Sequence, residues 1–447
     1  MDLKGKKSIV IGMGKTGIAA AAFLGAQGAS VVAVDEKPAA EWGETCNRIL
    51  ASPWLSVGPY DPSVLAGADL VVPSPGISPR NAILVAAQTA RIPILSEIEL
   101  AYRHLRAPLI AVTGTNGKTT TTTLLGEMLS AAGKKVFVGG NIGNPLIDYA
   151  NTAQTDDFVV AEISSFQLQW IETFRPRVAL LLNITCDHID YHGSFDEYRR
   201  IKARVFENQQ SADWAIVNAD DEAQKGLDEA LSARIVRFST RRKQTEGLWL
   251  EDDAICCRMQ NDAPERYPLG LIRLPGRHNV ENVMAALAAA RCCGADPESI
   301  AKTVSRFRGL PHRIEFAGEK NAVRFYDDSK GTNVDAVVRA LETFDRPVIL
   351  LLGGRDKDSD FTALTGILEK KAKQVILFGE ARDRIEPQIG RGVPSVKEST
   401  LENATRRAYR DARPGDVVLL SPGCASFDEF ANYKERGNFF KDVVRSF

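Results

Sequence analysis

The sequence predicts an α/β protein of three domains, and three observations lead there. Short β-branched runs alternate with helical stretches along nearly the whole chain. Glycine-rich turns close several of those runs. The pattern also breaks at two joints, near Ile94–Glu97 and near Gly309–Pro311, dividing the 447 residues into 1–96, 97–309 and 310–447. A chain of this length exceeds one ordinary core.

The expected strands run in order through Ser8–Ile11, Val31–Val34, Leu70–Val72, Leu109–Val112, Phe158–Ile163, Val178–Leu182 and Trp214–Val217. Val348–Leu352, Gln374–Phe378 and Val417–Leu420 continue the series. Continuous apolar runs of this kind suit parallel strands covered by helices on both faces. Ligands then gather at the carboxyl ends of the strands. The segment from Phe238 to Leu274 is different, being charged, rich in short strand-like runs and without a clear helix. It predicts a small antiparallel sheet inside the middle domain.

Hydrophobic residues make up 44% and charged residues 25%, the balance of a soluble globular protein. A formal net charge of −1 calls for neither nucleic acid nor an anionic membrane, although a local site for a small anion needs no global charge. Seven cysteines, an odd number without CxxC pairs, read as reduced thiols in a cytoplasmic protein. The Ala-rich stretch Ile18–Ala26 runs into the strand Val31–Val34, so it reads as part of a β-α-β unit and not as a signal peptide. No apolar run approaches the roughly 18 residues of a membrane span. A cytoplasmic monomer is the expectation.

Gly12-Met13-Gly14-Lys15-Thr16-Gly17 fits GxGxxG between a strand and a helix, and Val34-Asp35 closes the next strand. That arrangement suits a dinucleotide, with a helix N-terminus for phosphate and an acid for ribose. It also suits a UDP-sugar, whose diphosphate uses the same physics, or a plain tight turn. Val72-Pro73-Ser74-Pro75-Gly76-Ile77-Ser78 offers backbone N–H groups at a second strand end, and no hydride-transfer site follows. The balance moves toward the UDP-sugar.

Leu109–Thr120 reads as strand, glycine loop and helix start. Gly114-Thr115-Asn116-Gly117-Lys118-Thr119-Thr120 is the short GTNGK[ST] form of a phosphate loop, since Val112 stands where the longer motif has its first glycine. Gly117 lets backbone wrap phosphate, Lys118 neutralises the β and γ oxygens, and the Thr119 hydroxyl can reach Mg²⁺. ATP is therefore the expected cofactor. A kinase, an ATPase or a non-catalytic regulator would share this loop.

Two further constellations narrow the chemistry. Glu162, in Ala161-Glu162-Ile163-Ser164-Ser165-Phe166-Gln167-Leu168, stands where an open sheet presents a metal-binding carboxylate beside the loop. Asn183-Ile184-Thr185-Cys186-Asp187-His188-Ile189-Asp190-Tyr191-His192 follows another strand and suits Mg²⁺ coordination through His188. Lys202 lies on the helix beyond.

With these motifs in order the chain resembles the Mur ligase family. The resemblance continues through Leu274–Asn282, Gly309–Arg313, Asp327–Asn333, Gly353–Lys357 and Leu420–Asp428, and covers essentially the whole chain. It implies a Rossmann-like N-terminal UDP domain, a central P-loop ATPase domain with a mostly parallel sheet, and a Rossmann-like C-terminal domain for the incoming amino acid. The compact N-terminal domain with GxGxTG and SPGI points to the member that adds D-glutamate to UDP-N-acetylmuramoyl-L-alanine.

The resemblance also implies site residues. Lys15, Thr16, Asp35, Glu36, Lys37, Ser74, Gly76, Asn141 and His188 would line the UDP-substrate site. Asn282, Arg313 and Asp328 would join the phosphate loop around ATP. Thr119, Glu162, His188 and a carbamylated Lys202 would hold Mg²⁺, and Lys118, Glu162, His188 and Lys202 would be catalytic. Lys330, Thr332, Lys357, Ser426, Phe427 and Tyr433 would surround glutamate. The implied chemistry converts a poorly electrophilic carboxylate to an acyl phosphate, which an amine then attacks. Departures from the family pattern are Tyr433 for Phe, Asp327 for Asn, Gly331 for Ala, and Asp358 after Lys357.

Overall fold

Each expected apolar run forms a strand because its side chains are covered on both sides of the backbone. The computed structural model describes residues 1–42, 49–227, 229, 231–259, 264–356 and 359–447. Lys357 and Asp358 lie outside the described residues.

The chain divides into two compact units. The first comprises Met1–Ile184, Tyr191–Leu269 and Asn282–Val304. Within it, β1 (Lys7–Ile11), β2 (Ser30–Val34), β3 (Leu55–Val57) and β4 (Leu70–Pro73) form a parallel sheet in the order β3-β2-β1-β4. Side chains alternate across it: Val10 joins one core, while Ile9 and Ile11 join another with Val71 and Leu84.

Nine strands build the larger sheet of the same unit. They are β5 (Leu109–Thr113), β6 (Val136–Gly140), β7 (Phe158–Glu162), β8 (Val178–Leu181), β9 (Trp214–Asn218), β10 (Arg234–Ser239), β11 (Gly247–Glu251), β12 (Ala254–Arg258) and β13 (Glu265–Pro268). Their order is β13-β12-β11-β10-β9-β8-β5-β7-β6. The expected small antiparallel sheet is therefore the edge of the main sheet and not a separate layer. Gly247 makes that continuity possible: its φ is +107°, and a Cβ there would meet the Arg237 carbonyl oxygen at 2.1 Å. Backbone thus approaches backbone, and β11 pairs parallel to β10 before β12 and β13 turn antiparallel.

The joint between the two sheets is a packed element. The helix Glu97–Tyr102 is mostly buried, and Leu95, Ile98 and Leu100 share one core with Val10 and Ala111. Glu99 accepts from the backbone N–H groups of Glu172, Thr173 and Phe174 and pairs with Arg103 at 2.7 Å.

The second unit comprises Thr185–Asp190, Gly270–Glu281 and Ser305–Phe447. Its sheet runs β14-β15-β19-β16-β17-β18, from β14 (Glu315–Lys320), β15 (Val323–Asp327), β16 (Val348–Gly353), β17 (Ala372–Phe378), β18 (Ser395–Lys397) and β19 (Val417–Gly423). Only β14 pairs antiparallel. Alternation again splits the strands, with Leu350 and Leu352 in one core and Ile349 and Leu351 in the other. Among the described residues no helix is long and apolar enough to cross a membrane.

Candidate active site

In the first unit the phosphate loop joins β5 to the helix Lys118–Ala131. Its position is dictated by strand order, because β5 lies between β8 and β7, where the direction of crossover reverses. Gly117 caps the helix at φ +84°, and a Cβ there would stand 2.1 Å from Asn282 Oδ1. Asn282 is thus packed on the loop. Asn183, quoted in a motif but given no role by the sequence, clamps the loop. Its carbonyl accepts from the Thr115 N–H and its Oδ1 from the Asn116 N–H, both at 2.8 Å, while Nδ2 donates to the Asn116 carbonyl. Open backbone N–H groups at a glycine turn need such fixing to present a concave face to phosphate.

Two ammonium groups converge on one carbonyl. Lys118 Nζ donates to the carbonyls of Gly114 and Thr115 at 2.8 Å, and buried Lys202 Nζ donates to the same Gly114 oxygen at 2.8 Å. Lys202 also lies 4.7 Å from the Tyr198 ring centre, whose hydroxyl is hydrogen-bonded to Thr115 Oγ1. Glu162, the last residue of β7, is buried; Oε1 accepts from Asn141 Nδ2 at 2.7 Å, and Oε2 has no hydrogen-bond partner among the described residues. A buried carboxylate oxygen without a donor fits a cation, and Glu162 with the Thr119 hydroxyl offers hard oxygen ligands of the kind Mg²⁺ takes. Asn141, expected at the UDP substrate, is the donor to this carboxylate.

In the N-terminal sheet, Asp35 does not present a free acid. Its Oδ2 accepts from the Met13 N–H at 2.6 Å and its Oδ1 from the Lys37 N–H, so it shapes the first glycine turn. Ser74 donates to the Gly12 carbonyl at 2.6 Å and ties the second turn to the first. Glu36 accepts from the Tyr60 hydroxyl, and Lys15 Nζ donates to the Gly143 carbonyl. Thr16 and exposed Gly76 complete this end.

The second unit gathers the other expected residues. Arg313 is flanked by two residues in the left-handed region, His312 at φ +63° and Ile314 at φ +47°. For β-branched Ile314 that conformation is strained, a feature that collects at functional sites. His312 shares a hydrogen bond of 2.7 Å with Asp327, while Glu315 accepts from the His312 N–H and from Lys441. His312, Glu315 and Asp327 could by proximity hold a cation, but the Lys441 ammonium already neutralises that cluster.

Asp328 is buried, which pushes its carboxyl up to about 7, against a hydrogen bond from Ser421 and the charge of Arg313. A Cβ at Gly331 would come 2.5 Å from Asp328 Oδ2, so the departure from alanine there makes room for this carboxyl. Lys330 Nζ lies over the Tyr433 ring at 5.4 Å; the aromatic face, present in Phe and Tyr alike, is what this contact uses. Ser426 is buried, Phe427 exposed and Thr332 half-buried. Asp187 accepts from Asn333 at 3.0 Å, and His188 is held at φ +54°.

Sequence reasoning missed Arg436. Its guanidinium is fully buried and donates to Ser329 Oγ, the Ser329 carbonyl and the carbonyls of Cys424 and Ala425, pinning both loops that carry the expected glutamate residues. A signal existed: Arg436, Phe440, Val443 and Val444 form one helical stripe in which three positions are apolar.

Fold and site together define an α/β protein with a phosphate loop at the switch point of its central sheet, and comparison with known proteins specifies it. Residues 6–96 match the domain described as Mur ligase MurD-like, N-terminal domain; residues 112–290 match the Mur ligase middle domain; residues 312–424 match the Mur ligase, glutamate ligase domain. The chain belongs to the Mur ligase family. A relative from Syntrophus aciditrophicus, named UDP-N-acetylmuramoylalanine–D-glutamate ligase, is 53% identical over 449 residues, covering 100% of this chain and 99% of its own. Among solved structures, a pseudomurein peptide ligase type C from Methanothermus fervidus aligns at TM-score 0.62 and 18% identity, covering 99% of this chain and 100% of its own. A MurF ligase from Thermotoga maritima in complex with ADP aligns at TM-score 0.61 and 17% identity, covering 99% and 96%. The last two are likenesses of fold.

Proposed function

We propose that this chain joins D-glutamate to UDP-N-acetylmuramoyl-L-alanine at the expense of ATP and Mg²⁺, releasing ADP and phosphate. The observation that carries the reading is the clamped phosphate loop, with Lys118 and Lys202 meeting on the Gly114 carbonyl in a chain so close to a relative named for this reaction. In this reading residues 1–96 bind the UDP end, 97–309 bind ATP, and 310–447 bind the amino acid. The enzyme acts as a cytoplasmic monomer on small molecules.

The alanyl carboxylate attacks the γ-phosphorus, and the bond to ADP breaks. The amine of glutamate then attacks the acyl carbon, loses a proton, and phosphate leaves. Lys118 offsets charge on the transferring phosphoryl group. Glu162 and the Thr119 hydroxyl would hold one Mg²⁺, His188 and a carbamylated Lys202 would serve a second, and the ions would supply neutralisation of phosphate charge. Carbamylation joins the neutral Lys202 amine to CO₂ with release of one proton, leaving one N–H on Nζ for the Gly114 carbonyl and one negative charge shared over two oxygens. Arg313, Asp328 and Asn282 contact ATP. Lys330, Thr332, Ser426, Phe427 and Tyr433, with Lys357, receive the amino acid, whose two carboxylates suit two lysines.

The test is phosphate release with ATP, Mg²⁺ and UDP-N-acetylmuramoyl-L-alanine, adding D-glutamate, L-glutamate, lysine or diaminopimelate in turn. Release with D-glutamate alone, and a product heavier by one glutamyl residue, is the expected result. Release with another amino acid moves the specificity, and no release with any of them overturns the ligase reading.

A further inference from the structure

The first unit holds a cavity of about 590 Å³ that the ligation chemistry does not use. It opens at the amino ends of the central strands: Leu109, Phe158 and Val178, the first residues of β5, β7 and β8, all line it. The phosphate loop leaves the other end of β5. Four residue steps separate Leu109 from Thr113, or about 13 Å at the rise of a strand, so the cavity and the loop lie at opposite ends of the same strand.

Its lining has a definite chemistry. Three arginines reach it, and they are not equivalent. Arg175 is neutralised by buried Asp213 at 2.7 Å. Arg106 and Arg177 are exposed, and neither has a carboxylate partner among the described residues. Behind them the wall is apolar and aromatic, with Phe158 and with Tyr102, which is held edge-on against Phe174. Cys293 also lines the cavity; burial pushes its thiol up to about 12, while Arg177 and Lys134 act in the opposite direction. Arg106 and Arg177 thus bring two positive charges to the cavity that Asp213 does not pair.

Unpaired guanidinium groups beside an apolar wall select an anion with an apolar body. A bare inorganic anion would leave the wall unused, and a neutral apolar molecule would leave the guanidinium groups unpaired. We propose that this cavity is a second ligand site, separate from the ATP site, for a small organic anion: a carboxylate or phosphate monoester on a flat apolar group, with Arg106 and Arg177 holding the charge and Tyr102 and Phe158 the ring.

Ligand-observed NMR titration of the full chain with phenylacetate and with benzyl phosphate tests this, with phenylacetamide as the neutral counterpart. Saturable binding of at least one anion is expected, and the tighter of the two identifies the head group. Phenylacetamide, and the anions with the doubly substituted Arg106→Glu/Arg177→Glu chain, should each bind at least about tenfold more weakly. Saturating ATP should leave anion binding unchanged. The substituted chain should melt like the native one and keep its basal ligation rate, since both residues are exposed and outside the reaction site. Absence of saturable anion binding, equal binding of phenylacetamide, indifference to the two substitutions, or displacement by ATP would each overturn the proposal.

Discussion

Lys202 shows how much chemistry one side chain inherits from its surroundings. It is buried against the phosphate loop, bonded to the Gly114 carbonyl and stacked on Tyr198. On the proposed role at the metal, Lys202→Ala should lower the ligation rate by about 100-fold or more. Partial recovery with a short carboxylate is expected if the missing group is a carbamate; phosphate-release assays with and without added acetate or propionate decide it, and a variant that stays fully active sinks the assignment. Glu97 makes a different point. It is buried, Oε1 accepts from the Ile147 N–H at 2.6 Å, and burial raises its carboxyl to about 7. The folded state therefore holds a proton that the unfolded state has released above pH 4.5. Stability from this group is full below that value and is lost as pH rises toward 7, by at most about 3 kcal/mol. Buried Asp328 acts in the same direction. Glu97→Gln should flatten the fall of Tm between pH 5 and pH 7.5; an unchanged slope would remove Glu97 as its source.

At the scale of elements, loops that carry chemistry are held from behind by side chains on their neighbours. Asn183, at the end of β8, holds the phosphate loop, and Arg436, on the helix Tyr433–Arg445, holds the two loops around Ser329 and Ala425. Burial lowers the Arg436 guanidinium to about 10, which leaves it charged near neutrality and dependent on its acceptors. Arg436→Met keeps the bulk and removes every donor, stranding buried carbonyls. The expected loss is about 3 kcal/mol or more in chemical denaturation of the chain. A variant as stable as the native chain would mean that those carbonyls find other donors.

For the whole molecule, the division into two units with their own cores predicts two calorimetric transitions. ATP with Mg²⁺ at about 100 times its Kd should stabilise by about 2.7 kcal/mol, with the larger shift in the unit that carries the phosphate loop. A single transition with equal calorimetric and van't Hoff enthalpies would show one cooperative body instead. Much of this organisation was legible in the chain. Apolar runs and glycine turns marked the α/β pattern, and Gly114–Thr119 marked the phosphate loop, because local backbone requirements are written in adjacent residues. The antiparallel segment was read as its own sheet because its pairing to β10 depends on one close approach at Gly247, which no periodicity reports.

By itself, then, the sequence determined the elements, the phosphate loop and the family to which the chain belongs, since those depend on residue types at short spacing. Only the tertiary structure decided what long-range partners do. It turned Asp35 inward to its own turn, gave Asn141 to Glu162, placed Asn183 under the loop and buried Arg436 beneath two others. It also exposed a cavity lined by Arg106, Phe158, Arg177 and Cys293, residues far apart in the chain. A hydrogen bond or a cavity wall needs atoms within a few ångströms, and folding, not spacing along the chain, brings such residues together.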